Sequence, residues 1–164
     1  MKMNGASRIM LRRAQMDDLP RLQTLYVETI DNTCKADYDD AQREVWKKSI
    51  EHTARWQAAL QTQYFLIAEI DGNTAGFGSL RDGDYIDFMY TAAAYPGKGV
   101  GSAIYAALEQ KAIEQFKLAL TSDVSKTARR FFEGKGFVVE KENEYVINGV
   151  MISNYRMRKK LMIG

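Results

Sequence analysis

The chain has 164 residues and a mass of 18.7 kDa, enough to build one hydrophobic core without disulfides or metals as staples. With 46% hydrophobic and 27% charged residues it is excluded from the disordered class. Its 23 basic and 21 acidic residues are interspersed, so the net charge of +2 leaves no electrostatic footprint for nucleic acid.

The first ten residues carry no apolar stretch of signal-peptide length, and no window approaches the roughly 18 apolar residues of a membrane span. The expectation is a cytoplasmic chain with a loose N-terminal tail over residues 1–8, no membrane partner, and one domain over residues 9–164. A short strand over 9–13 leads to Asp17 or Asp18 as a helix N-cap, and Leu19, Leu22, Leu25, Tyr26 and Ile30 then recur at helical spacing to about residue 31. Cys34, in the loop that follows, is the only cysteine. No intrachain disulfide can form, and a reducing compartment fits. With only Lys35 beside it and no positioned base, Cys34 is not a convincing nucleophile.

A second helix is expected over about 41–60, carrying Val45, Trp46, Ile50 and Trp56. His52, the only histidine, falls inside it in a polar setting that suits a structural role. One cysteine and one histidine cannot build a Cys/His zinc site, and no metal is expected.

The period then changes from helix to strand. Runs over 64–70, 74–80 and 85–91 are joined by Asp71-Gly72 and Asp82-Gly83, dipeptides suited to tight turns, and read as an antiparallel meander. A glycine-rich segment over 95–102, YPGKGVGS, follows. Beyond it Val100, Ala103, Ile104, Ala107, Leu108 and Ala112 mark a helix with an apolar stripe, and residues 118–122 a strand. A short helix over 126–134 and a closing hairpin over 137–147 and 151–161, turning at Asn148-Gly149, complete the chain. The order describes an α+β domain with a mainly antiparallel sheet of about seven strands flanked by about four helices.

Gly97, Gly99 and Gly101 let the backbone turn sharply just before a helix whose first N–H groups lack partners, which makes an anion site suited to phosphate or pyrophosphate. A Walker loop needs Gly-Lys followed by Ser or Thr, whereas Lys98 lies between glycines. A dinucleotide fingerprint would place its third glycine at Ser102, and the preceding meander is not the βαβ opening of that fold.

The order of elements, with PGKGVG at Pro96 to Gly101 and SKTARRFFEGKGF at Ser125 to Phe137, resembles the GNAT (Gcn5-related N-acetyltransferase) family across residues 9–161. The closing INGVMISNYRMRKK and the earlier YIDFMY resemble a small single-domain bacterial branch of it. The resemblance implies an acetyl-CoA-dependent N-acetyltransferase that moves an acetyl group to a primary amine of a small molecule, directly, in a ternary complex. It implies coenzyme contacts from Gly97, Lys98, Gly99, Val100, Gly101 and Ser102 around the pyrophosphate, from Met89, Tyr90 and Thr91 along the pantetheine arm, and from Phe132 near the sulfur, while Ser125 either hydrogen-bonds the pantetheine arm or caps the helix that follows it.

Two positions depart from the family pattern. Pro96 stands where Gln or Arg is usual and has no N–H to offer. Phe132 stands where many members carry a tyrosine that protonates the leaving thiolate, and a phenyl ring donates no proton. These departures keep open an alternative, an acyl-CoA-binding regulator without efficient turnover.

Direct transfer needs an unprotonated amine and a proton for the thiolate. Asp87 is the first candidate base or amine-orienting group, because simple strand alternation sets it on one face with Met89 and Thr91. Asp123, at the end of the next strand, is second. Tyr90 and Tyr155 are replacement acids by residue type alone. Tyr38, Trp46 and Tyr64 are placed to border an acceptor pocket, or to pack the core. Arg156, Arg158, Lys159 and Lys160 read as the solvent face of the last strand, and its exposed edge makes a homodimer plausible.

Overall fold

A computed structural model describes residues 8–162; apart from Arg8, the expected N-terminal tail lies outside them. Seven strands form one sheet in the order β1-β2-β3-β4-β5-β7-β6. They are β1 (Ile9–Arg13), β2 (Tyr64–Ile70), β3 (Asn73–Arg81), β4 (Tyr85–Thr91), β5 (Ala119–Val124), β6 (Val138–Ile147) and β7 (Val150–Lys160). All neighbours are antiparallel except β4 and β5. Asp71, Gly72, Asn148 and Gly149 all have positive φ, as two-residue hairpin turns that match strand twist require. The fold is the α+β class that the period changes predict.

Among the described residues the helices are α1 (Leu19–Thr33), α2 (Asp40–Lys47), α3 (Thr53–Thr62), α4 (Val100–Glu114) and α5 (Arg129–Gly134). That is five rather than four, because the helix expected over 41–60 is two. Its break has a local cause. Ser49 O accepts the His52 amide at 3.1 Å in a tight turn as well as the Trp56 indole at 3.1 Å, and Ile50 O accepts the Gln23 side-chain amide at 3.1 Å, so the first carbonyl is shared and the second is taken by a side chain. His52 leaves the helical region at φ −81 and ψ 65. Asp18 precedes α1, but its carboxylate turns back to Arg12 and to the Gln15 amide instead of capping the helix.

The core lies on both faces of the sheet. On one, Val100, Ile104, Leu108 and Ala112 of α4 cover Leu66, Ala68, Leu80 and Ile86; on the other, Leu22, Leu25, Ile30 and Trp56 cover Phe65, Ile67, Phe77 and Phe88. Phe65 to Ala68 therefore reads as an unbroken apolar run, since alternate residues bury on opposite faces. α4 sits directly on β3: a Cβ at Gly78 would lie 2.6 Å from Ile104 Cγ2. No helix among the described residues is long and apolar enough to cross a membrane.

One irregularity positions the site. β4 and β5 pair only at Tyr85–Thr121 and Ile86–Ser122, and then part. At the same point the β3–β4 register slips, Ser79 facing Phe88 and Leu80 facing Ile86, so Asp87 is the extra residue of a β-bulge. The Ser122 hydroxyl closes the paired end by donating to Ile86 O at 2.8 Å. Beyond it the sheet is open between two strands.

Candidate active site

The gap between β4 and β5 continues into a cleft of about 940 Å³, walled by β4, the 95–102 loop, the start of α4, the β5–α5 turn, α2 and the β6–β7 hairpin. Its two ends are built from different materials.

At one end the wall is backbone. Gly97 and Gly99 hold φ of +68 and +77, left-handed values that L side chains rarely adopt, and a Cβ at either would meet nothing within 4 Å. The glycines thus shape an open cradle rather than relieve a clash. Gly99 is the N-cap of α4, whose first amides at Val100, Gly101 and Ser102 have no intrahelical partner and carry the positive end of the helix dipole. Gly101 is tight: its Cβ would lie 3.3 Å from the Phe131 ring. Lys98 lines the cleft, and Lys135 donates to Ser102 Oγ at 2.9 Å, adding a second cation beside the cradle.

The same end includes the free edge of β4. Ala92 N donates to Ala75 O at 2.8 Å, so by alternation the amides and carbonyls of Met89 and Thr91 point away from β3 into the gap. The Thr91 carbonyl also accepts the Thr29 hydroxyl at 3.2 Å. Across the gap, Ser125 Oγ accepts the Ala128 amide at 3.1 Å and so closes the turn before α5. Phe132 lines the cleft but is only 2% exposed, edge-on to Phe137 at 5.0 Å. This end can bind an extended ligand with an anionic head through main-chain groups.

At the other end the wall is side chains. Asp87 is not on the face of Met89 and Thr91: the bulge turns it to the α3 side, while Met89 packs toward α4. Its carboxylate, 7% exposed, accepts Arg55 Nη2 at 3.1 Å on one oxygen and Gln63 Nε2 at 2.7 Å on the other. Buried Ser79 donates to Gln63 Oε1 at 2.7 Å, which fixes the direction of that amide. Asp87 lines the cleft, and with one hydrogen bond on each oxygen its carboxylate keeps further acceptor capacity.

Asp123 is a different object. It accepts Tyr85 OH at 2.7 Å, Asn143 Nδ2 at 2.8 Å and two bonds from the Arg156 guanidinium at 2.9 and 3.2 Å. Burial pushes its carboxyl up, but Arg156 and Tyr85 outweigh burial and hold it below the ordinary carboxylate range. A carboxylate so saturated ties β4, β5, β6 and β7 together and is a poor proton acceptor. Arg156, expected on a solvent face, is its main partner. Tyr90 faces α1, its ring 4.7 Å from Tyr26 and 5.4 Å from Phe77. Burial, then the neighbouring Tyr26, raises its phenol well above the usual range, which weakens it as an acid. Tyr155 lies under the Arg129 guanidinium at 4.7 Å, outside the cleft lining.

Tyr38 bridges three segments, donating to Ser153 O at 2.8 Å and accepting the Lys126 amide at 2.9 Å. Burial pushes its phenol up to about 12, against the smaller opposing effect of the Lys126 amide. Burial likewise raises the Cys34 thiol, 4% exposed, which agrees with its exclusion as a nucleophile. Tyr64 packs toward the α4 face, away from the cleft. Sequence reasoning did not single out Arg55 and Gln63. No motif marks them, and only the bulge brings Asp87 to them.

Comparison with known proteins agrees with this architecture. A family model described as an acetyltransferase (GNAT) domain matches residues 34–160. The Escherichia coli K12 protein described as uncharacterized N-acetyltransferase YafP is 30% identical over 152 residues, 93% of this chain and 96% of that protein. A GCN5-related N-acetyltransferase from Rhodopseudomonas palustris superimposes with a TM-score of 0.89 at 34% identity, covering 94% of this chain and 97% of that one. The PaiA N-acetyltransferase of Thermoplasma acidophilum, solved in complex with coenzyme A, shares the fold with a TM-score of 0.72 at 22% identity, covering 94% and 99%. This chain belongs to the GNAT family of N-acetyltransferases.

Proposed function

We propose that the chain binds acetyl-CoA along the backbone-built end of the cleft and transfers the acetyl group directly to a primary amine of a small molecule in a ternary complex. The observation that carries this reading is the juxtaposition, in one cleft, of an open cradle of unpaired amides and a bulged carboxylate at the point where the sheet parts. The amides of Gly97 to Ser102 hold the pyrophosphate, helped by Lys98 and Lys135. The free edge of β4 at Met89 and Thr91, beside Tyr90, takes the pantetheine amides, with Ser125 across the gap from it, and Phe132 flanks the thioester end.

The amine nitrogen attacks the thioester carbon. A C–N bond forms, the C–S bond breaks, the amine gives up one proton and the thiolate takes one. Asp87 orients the amine and accepts its proton. Asp123 serves as a brace and Tyr90 as part of the acceptor wall. Because Phe132 donates nothing, the thiolate is reprotonated without a tyrosine at that position.

Residues 9–164 act as one domain in this reading, in keeping with a single sheet that runs from β1 to β6. A cytoplasmic setting fits the free buried thiol of Cys34. A homodimer through the outer strand β6, where Val138, Val146 and Ile147 are exposed, completes the reading.

Thermal unfolding with acetyl-CoA and thiol release with an amine panel test it together. A rise in Tm at millimolar acetyl-CoA and thiol release with at least one amine are expected. An unmoved Tm refutes the coenzyme assignment, and coenzyme binding without turnover of any amine favours a regulatory protein instead.

A further inference from the structure

Resting on the acetyl-transfer reading, the acceptor end of the cleft names its own substrate class. Its apolar surface comes from Tyr38, Trp46, Tyr90, Ile147 and Ile152. Trp46 and Tyr38 meet edge-to-face at 5.2 Å, and Tyr90 leans on Tyr26. These walls are held against one another. Gln42 Nε2 donates to Met151 O at 2.9 Å and Tyr38 OH to Ser153 O at 2.8 Å, so α2 is pinned to the hairpin. Trp46, four residues after Gln42, lies on the same helix face and borders the hairpin residues that line the cleft.

Charge limits what else can enter. The charged residues that line the cleft are Arg55, Asp87, Lys98 and Asp123. Asp123 is saturated by Arg156, Tyr85 and Asn143, and Lys98 belongs to the cradle. That leaves one carboxylate with spare lone pairs, Asp87, and one cation, Arg55, which is already on Asp87 and over the Phe88 ring at 4.9 Å. A polyamine would bring further ammonium groups with no carboxylate to meet them. An amino acid would bring a carboxylate beside Asp87.

We infer that the acceptor is a monoamine on a planar aromatic body, its amino group at Asp87 and its ring between the Trp46–Tyr90 side and the hairpin isoleucines. Aromatic walls favour ring partners over chains of equal area through offset and edge-to-face contacts.

Thiol release from acetyl-CoA with 2-phenylethylamine, tryptamine, butylamine, spermidine and glycine tests this. The aromatic amines should exceed butylamine in kcat/KM by about five- to tenfold, in KM more than kcat, with spermidine and glycine lowest. Trp46→Ala should shrink the aromatic advantage to about twofold or less, and Trp46→Phe should keep most of it. Independently, 2-phenylethylamine added with coenzyme A should change tryptophan fluorescence saturably, and Trp46→Phe should remove that signal, since Trp56 is fully buried. Equal or faster turnover of butylamine, spermidine or glycine overturns the inference and leaves amine acetylation standing. No thiol release with any of the five overturns both.

Discussion

The two ends of the cleft differ in what they are made of. The cradle end uses main-chain amides, a helix dipole and a free strand edge, whereas the acceptor end uses carboxylates, guanidinium groups and aromatic rings fixed by contacts from distant parts of the chain. Backbone recognition depends on local conformation, which a few glycines secure. Side-chain recognition depends on register, and a single bulge at Asp87 reassigns it. A fold can therefore keep its ligand-binding half while its chemistry is rewritten in the other.

Substitutions that separate the halves give the sharpest tests. The largest effect is expected from Asp87→Asn, which should lower turnover by about 100-fold or more, in the usual range for a lost general base, while coenzyme affinity stays within about twofold. Equal losses in both would erase the division of labour. Gly99→Val should do the reverse. It forces a β-branched residue to φ +77, costs about 1–2 kcal/mol, and should weaken coenzyme binding about tenfold in calorimetric titration.

Gln63→Leu probes the support behind the acceptor end. It strips a donor from Asp87 and the acceptor from buried Ser79, and should cost about 1–3 kcal/mol in denaturant unfolding, with turnover falling more than coenzyme affinity. The smallest effect concerns pH. Asp123 is more acidic in the folded chain than when unfolded, so its contribution is complete above a pH of about 4 and is lost as pH falls through the lower folded value. Asp123→Asn should flatten that acid limb of the stability profile, and an unchanged limb would show that Asp123 is not a stabilising anion.

What was legible in the sequence follows the same division. The meander, the hairpin at Asn148-Gly149 and the cradle are written in short-range signals, namely alternation, turn dipeptides and closely spaced glycines. Thus the sheet and the main-chain end of the cleft were readable. The helix expected over 41–60 failed because its period continued, while Ser49 O turned to the His52 amide and the Trp56 indole, and Ile50 O was claimed by Gln23 through tertiary contact. The face of Asp87 failed because alternation assumes no bulge, and its partners Arg55 and Gln63 stand 32 and 24 residues away. Asp123 stood as the second candidate base for the same reason: its partner Arg156 lies 33 residues further along.

The central claim is that main-chain groups of one loop and one strand edge hold the coenzyme. Amide chemical shifts of the labelled protein, followed as coenzyme A is added, test it most directly. The expected result is large shifts concentrated at Gly97 to Ser102, with Met89 and Thr91 moving next and Asp87 little. Saturating binding that leaves the 97–102 amides unmoved would contradict it.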